Sequence, residues 1–288
     1  MFRLTVFLIR LAALFPLSFL YRVSGFLYCL VYHVLCYRRK IVSANLKNSF
    51  PEKDRAEIKK IEKGFYRHFC DVIVETLKML TISSEELKAR VTYKNMEVFD
   101  KYYEEGKHVV ALMSHYGNWE WMSGFPLVSS FRIFSVYKPL KSKVFDQFML
   151  NLRGRFGCRL VPFKRALRHI LSMRKSCLPS VTAFIADQSP VREGSYFITR
   201  FLEQDTPFHS GLARIAKLDQ YAFVFMKMQK RSRGYYEVEV VDISSCDTST
   251  QKNEALDLYV KHLESQIKEK PEYWLWSHRR WKEPPGVR

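Results

Sequence analysis

No acidic residue precedes Glu52. Seven bases do (Arg3, Arg10, Arg22, Arg38, Arg39, Lys40 and Lys47), interleaved with "LAALFPLSFLY" and "VSGFLYCLVYHVLCY". Those stretches are too apolar for a nucleic-acid arm and suit a bilayer surface. A long spanning run is also missing. The longest uncharged stretch, Val23 to Tyr37, has 15 residues, where a straight spanning helix needs roughly 20. Arg22 and Arg38 can extend it by snorkelling, and Pro16 separates an earlier helical piece from it. Bases flank the run on both sides, which removes any orientation signal. No small-x-small cleavage site follows the first apolar segment, where "YRVSG" stands. A retained anchor over residues 1–40, as one tilted span or a buried hairpin, is therefore expected in preference to a signal peptide.

Other signatures are lacking too. Cys29, Cys36, Cys70, Cys158, Cys177 and Cys246 show neither metal-ligand nor CxxC spacing, and are expected as reduced, buried thiols in a protein facing a reducing compartment. There is no zinc, nucleotide or Walker-type motif. No stacking platform or groove-reading module accompanies the formal charge of +18, so an anionic partner other than nucleic acid is expected. Internal repeats, low-complexity tracts and interdomain linkers are absent. One domain over residues 41–288 therefore accounts for the chain beyond the anchor.

What is present is alternation. "NSFPEKDRAEIKKIEKGFYRHFCDVIVETLKML" has helical periodicity, with Pro51 and Glu52 suited to a first turn. From about Val91, short apolar runs alternate with helical stretches. "HVVALM", "FRIFSVY", "LPSVTAFIA", "YAFVFMKM" and "YYEVEVVDI" read as strands. "FDQFMLNLRGRF", "RALRHILSM", "SGLARIAKL" and "NEALDLYVKHLESQIKEK" read as helices. The pattern predicts an α/β domain with a mostly parallel central sheet flanked by helices, antiparallel where the last strands are close. Chemistry in such sheets gathers beyond the carboxyl ends of the strands. There stand Ser114 and His115 after one strand, and Asp187 and Gln188 after another.

His115 and Glu120 have a spacing that carries little by itself; His278 and Glu283 repeat it. Five residues along an α-helix turn through about 500°, leaving such a pair about 140° apart. The two side chains meet only if His115 stands before a helix and Glu120 lies in its first turns. Gly117 permits the sharp turn and Asn118 can cap the helix. The helix dipole would then disfavour imidazolium, and Glu120 would fix the tautomer of a base able to deprotonate a substrate hydroxyl. A histidine simply closing a strand end, with Trp119 and Trp121 in the core, fits these residues equally well.

"SHYGNWEW" resembles the first motif of the His-x4-Asp/Glu glycerolipid acyltransferases, in the form found among the late acyltransferases of lipid A biosynthesis. "FSVYKPLKSKVFDQFMLNLRGRFG" is similar to that branch's Tyr-Arg-Pro-Leu segment and Arg-rich helix. "IADQSP", "TPFHSGLARIAK" and "PEYWLWSHRRWK" resemble its Asp-Gln segment, following helix and carboxy-terminal signature. The co-linear set runs from about residue 40 to 283. Lys138 stands where arginine is common, and "SPVREGSYFITRFLEQ" replaces a glycine-rich stretch. These departures bear on acceptor and chain length rather than on the reaction.

The resemblance implies a glycerolipid-acyltransferase-like fold and transfer of a fatty acyl chain from an acyl carrier protein thioester, or acyl-CoA, to a hydroxyl of a lipid A precursor. No metal or organic cofactor is implied. His115 would be the general base and Glu120 its partner. Arg153 and Arg155 would steady phosphates or a tetrahedral oxyanion. Asp187 would hold Arg153, close the charge network or simply bind its own loop amides. Asn118 would support the turn. His278, Arg279, Arg280 and Lys282 would grip a phosphorylated headgroup or the acidic carrier protein, or snorkel at the membrane. The implied setting is the bacterial inner membrane, with the catalytic domain on the cytoplasmic face. Two other readings remain at this point: acylation of a lysophospholipid, amino-acid lipid or glycolipid, and a non-catalytic protein that binds anionic lipids.

Overall fold

A computed structural model describes residues 9–190, 196–216, 218–244 and 254–281. Seven strands form one sheet: β1 (Val91–Lys94), β2 (His108–Met113), β3 (Arg132–Tyr137), β4 (Arg159–Pro162), β5 (Ser180–Ile185), β8 (Tyr221–Ser232) and β9 (Tyr235–Asp242), in the order β1-β9-β8-β2-β5-β3-β4. Every pairing is parallel except β8 with β9. The five strands from β8 to β4 therefore share one carboxyl edge, and the antiparallel step falls at the last two strands, as their closeness in sequence predicts. β2, at the centre, is buried along its whole length, which is why it reads as an unbroken apolar run rather than an alternating one.

The two faces of the sheet are covered by separate cores. Val109, Ala111 and Met113 of β2 point into one core, with Val181, Val224 and Val238; Val110 and Leu112 point into the other, with Phe223 and Phe225. The helices are α1 (Leu17–Tyr28, continued by a π turn over Cys29–Val34), α2 (Arg39–Ser49), α3 (Arg55–Lys78), α4 (Ser84–Arg90), α5 (Glu97–Glu104), α6 (Lys143–Gly154), α7 (Ala166–Met173), α8 (Ala213–Ala216) and α9 (Glu254–Glu269). α3 joins the two cores: Ile58, Phe65 and Tyr66 lie in one, Val74 and the following Met79 in the other. It begins at Arg55, not at Pro51, because Asp54 and Glu57 form a reciprocal capping box that outcompetes the proline as a start.

Residues 17–34 form one helix long and apolar enough to cross a membrane by length and composition, and Pro16 does separate it from an earlier helical turn. α1 lies against α3 through buried polar contacts. Ser24 donates to Asp71 (2.6 Å) and Tyr21 to Glu75 (2.8 Å), while Arg233 reaches both Asp71 and the Tyr21 ring. Phe19 and Phe26 on its other side are exposed.

Several expectations are corrected. Cys70 and Cys158 are buried free thiols, but Cys29, Cys36 and Cys177 are exposed, and Cys246 lies outside the described residues. "SGLARIAKL" is helical only over Ala213–Ala216. A hairpin of β6 (Tyr196–Phe201) and β7 (Gln204–His209), unmarked in the sequence pattern, forms a separate two-stranded sheet.

Candidate active site

Sheet register builds the centre. β2 and β5 are neighbours with Met113 opposite Ile185, so two residues further on His115 and Asp187 emerge side by side at the carboxyl edge. Asp187 Oδ1 lies 2.7 Å from His115 Nδ1, and its Oδ2 accepts from the His115 backbone N–H (2.9 Å) and the Trp274 indole (2.8 Å). Burial pushes the Asp187 carboxyl up, but the electrostatic attraction and the ring and backbone hydrogen bonds of His115, together with the indole, hold it below its ordinary value. An ionised Asp187 accepts from Nδ1–H, which leaves Nε2 of the ring with its lone pair. The Gln188 side-chain amide approaches that nitrogen at 3.3 Å, and the His115 side chain is 17% exposed against 2% for Asp187. A basic nitrogen therefore faces outward from an anchored, oriented imidazole.

The turn carrying His115 is clamped from two sides. The carboxy-terminal segment pairs with it: Gly117 N–H donates to Tyr273 O (3.0 Å) and Leu275 N–H to His115 O (3.1 Å). Beneath it lies the middle of α3, where His68 Nε2 meets Gly117 O (3.1 Å). The His68 imidazole, beside Lys230, is pushed down to about 3 by burial first and by the lysine second, so it serves as a neutral donor. Gly117 has φ +62°, and a Cβ there would stand 2.8 Å from Met228 Sδ. Gly117→Ala is expected to strain the turn by roughly 1–2 kcal/mol and to lower kcat about 100-fold through displacement of the neighbouring His115 imidazole. Steady-state kinetics beside circular dichroism would separate that effect from unfolding.

Glu120 does not orient His115. Instead of an α-helix, a 3-10 helix follows, over Trp121–Leu127, and Glu120 precedes it. Its carboxylate receives a two-pronged bond from Arg153 of α6, Nε to Oε2 at 2.8 Å and Nη2 to Oε1 at 2.6 Å. The planar fork suits a carboxylate better than a single ring N–H does. Burial alone pushes the Arg153 guanidinium down, but the bond to Glu120 holds it above its ordinary value. Asp187, in turn, holds His115 and not Arg153.

The other site residues divide. Arg155 turns away to the Met79 carbonyl. Asn118 is wholly buried; its Oδ1 accepts from Trp121 N–H (3.2 Å) and its Nδ2 donates to Glu75 (2.7 Å), so it caps and supports the turn. His278 is half-buried over Ser189, Arg279 is exposed, and Lys282 lies outside the described residues. Arg280 is 1% exposed, donates to the Pro207 carbonyl and lies 4.6 Å over the Phe208 ring. Burial pushes its guanidinium down to about 10, with Asp187 opposing. A side chain so enclosed is not a surface grip for a carrier protein. Sequence reasoning missed Trp274, Gln188 as a ring contact, and Glu75. Trp274 stood in "PEYWLWSHRRWK", and Glu75 was an acid among the apolar positions of "CDVIVETL".

The family model of the bacterial lipid A biosynthesis acyltransferases matches residues 1–283. The chain belongs to that family. It is thus an acyltransferase with a lipid acceptor. No curated protein matches the sequence significantly. In this enzyme, the match extends from the apolar amino-terminal helix through the His115 turn and Arg153 to the segment that seats Asp187.

Proposed function

We propose that the enzyme performs secondary acylation of a lipid A precursor. It takes a fatty acyl chain from an acyl carrier protein thioester and works at the inner membrane with its catalytic domain on the cytoplasmic face. The observation that carries this reading is the Asp187–His115 pair with Nε2 left as an outward-facing base. Nε2 takes the proton of the acceptor hydroxyl as its oxygen attacks the thioester carbonyl. The tetrahedral oxyanion collapses, the C–S bond breaks, and the leaving thiolate recovers the proton from His115. Asp187 keeps the ring in the tautomer that can accept and stabilises the imidazolium between the two steps. Arg153, locked by Glu120 but with its side chain 27% exposed, supplies a fixed cation for negative charge on the substrates.

The test offers purified full-length enzyme, in mixed micelles, either labelled acyl carrier protein thioester or labelled acyl-CoA. A tetra-acylated lipid A precursor and a lysophospholipid serve as parallel acceptors. Label is expected to pass from the carrier protein to the lipid A precursor. Transfer confined to the lysophospholipid would replace the acceptor, and transfer from acyl-CoA alone would replace the donor. No transfer to either acceptor would overturn the reading.

A further inference from the structure

The carboxyl edge that bears His115 also carries an exposed rim beyond β3 and β4. Tyr137 and Pro162 are paired at the ends of β3 and β4, so the segments that follow them emerge side by side. Residues 138–145 are all exposed. They alternate cations with apolar side chains: Lys138, Lys141 and Lys143 with Leu140 (41% exposed), Val144 (46%) and Phe145 (50%). The neighbouring segment repeats the composition, with Phe163 and Leu167 beside Lys164, Arg165 and Arg168, all exposed. The nearby acid, Asp146, is occupied by the Leu140 backbone N–H at 2.8 Å, which folds the first segment onto the start of α6. Among the described residues, none of the six cations forms an ion pair.

Half-exposed apolar side chains grouped in one place mark an interaction surface. Their interleaving with unpaired cations of one sign specifies its partner. Aliphatic and aromatic groups enter the acyl boundary of a leaflet, while lysine stems lie along them and carry their ammonium groups to lipid phosphates. We propose that this rim is a second membrane-contact surface, which seats the carboxyl edge of the sheet on an anionic leaflet separately from the amino-terminal helix. The proposal rests on the acceptor being a lipid of that leaflet; the cations and the apolar crest then bring the base to a substrate that never leaves the bilayer.

The test reads contact rather than activity. Full-length enzyme is placed in nanodiscs of phosphatidylcholine, with or without phosphatidylglycerol, and amide hydrogen exchange is followed by mass spectrometry. Amides of residues 140–145 are expected to exchange about tenfold more slowly in the anionic discs, since each lysine at such a surface contributes a severalfold gain in binding. The 104–107 turn, which precedes β2 at the opposite edge, should not change. Lys141→Ser/Lys143→Ser/Val144→Ser/Phe145→Ser should remove the slowing while the β2 and β5 amides stay protected. Equal exchange in both discs would overturn the proposal. So would slowing that appears only when acyl carrier protein is added, which would assign the rim to the donor. Acyl transfer without this protection would keep the proposed function and discard the surface.

Discussion

Asp187→Asn is expected to lower kcat by about three to four orders of magnitude, with the fold and both KM values little changed. The size is that of the equivalent change in a Ser-His-Asp triad, and the geometry gives the same reason. An amide of the same shape keeps one oxygen for the His115 backbone N–H and the Trp274 indole, which share Oδ2. Its NH2 group then takes the place of Oδ1 and donates to Nδ1, where the carboxylate accepted. The ring is driven to the tautomer with its proton on Nε2, and the base is lost without disturbance of the packing. His115→Ala removes the same function outright.

Glu120→Gln separates the two acids. If Glu120 oriented the imidazole, this variant would match Asp187→Asn. The bidentate bond to Arg153 leads instead to a loss of about 10–100-fold, through a displaced guanidinium. That loss should not add to the loss in Arg153→Lys, because both variants break one pair. It should multiply with the loss in Gln188→Ala, which touches the ring from the other side. Kinetics of the single and double variants decide between the assignments.

The sequence made the strand ends readable because nearly unbroken apolar runs mark where β2 and β5 stop, and parallel sheets collect chemistry there. His115 and Asp187 followed from that rule. Their pairing did not, since it depends on β2 lying beside β5 with Met113 opposite Ile185, a register that no local pattern encodes. Proximity along the chain favoured Glu120 in its place, but Arg153, 33 residues away, claims that carboxylate. The β6–β7 hairpin escaped notice for a local reason. Leu202 and Glu203 occupy its turn at φ +49° and +61°, a conformation normally signalled by Asn-Gly or Asp-Gly. Arg280 looked like part of a basic surface tail, and only its enclosure against Phe208 shows otherwise.

Glu75→Ala is expected to cost about 4 kcal/mol of stability and to lower the melting temperature by about 10 °C. Glu75 is fully buried in the described structure. Its carboxyl accepts from Tyr21 (2.8 Å), Asn118 (2.7 Å) and Tyr236 (2.7 Å), three donors from three separate parts of the chain. Burial pushes this carboxyl above its ordinary value, and those hydrogen bonds oppose the shift. Alanine would strand all three donors away from water and open a void where the side chain stood. Glu75→Gln tests whether the bonds or the charge matter. The amide oxygen can replace Oε2 for Asn118 and Tyr236, while its NH2 donates to the Tyr21 hydroxyl, which then turns to accept. Stability should stay within about 1 kcal/mol of wild type, as expected when buried groups keep their partners. Because Asn118 caps the segment that begins at Trp121, the alanine variant should also lose about 100-fold in kcat per folded molecule, and the glutamine variant far less. Thermal melts and active-site-normalised rates measure the two effects separately. If glutamine proved as damaging as alanine, the buried negative charge itself, with Lys230 nearby, would be what holds the His115 turn to α3.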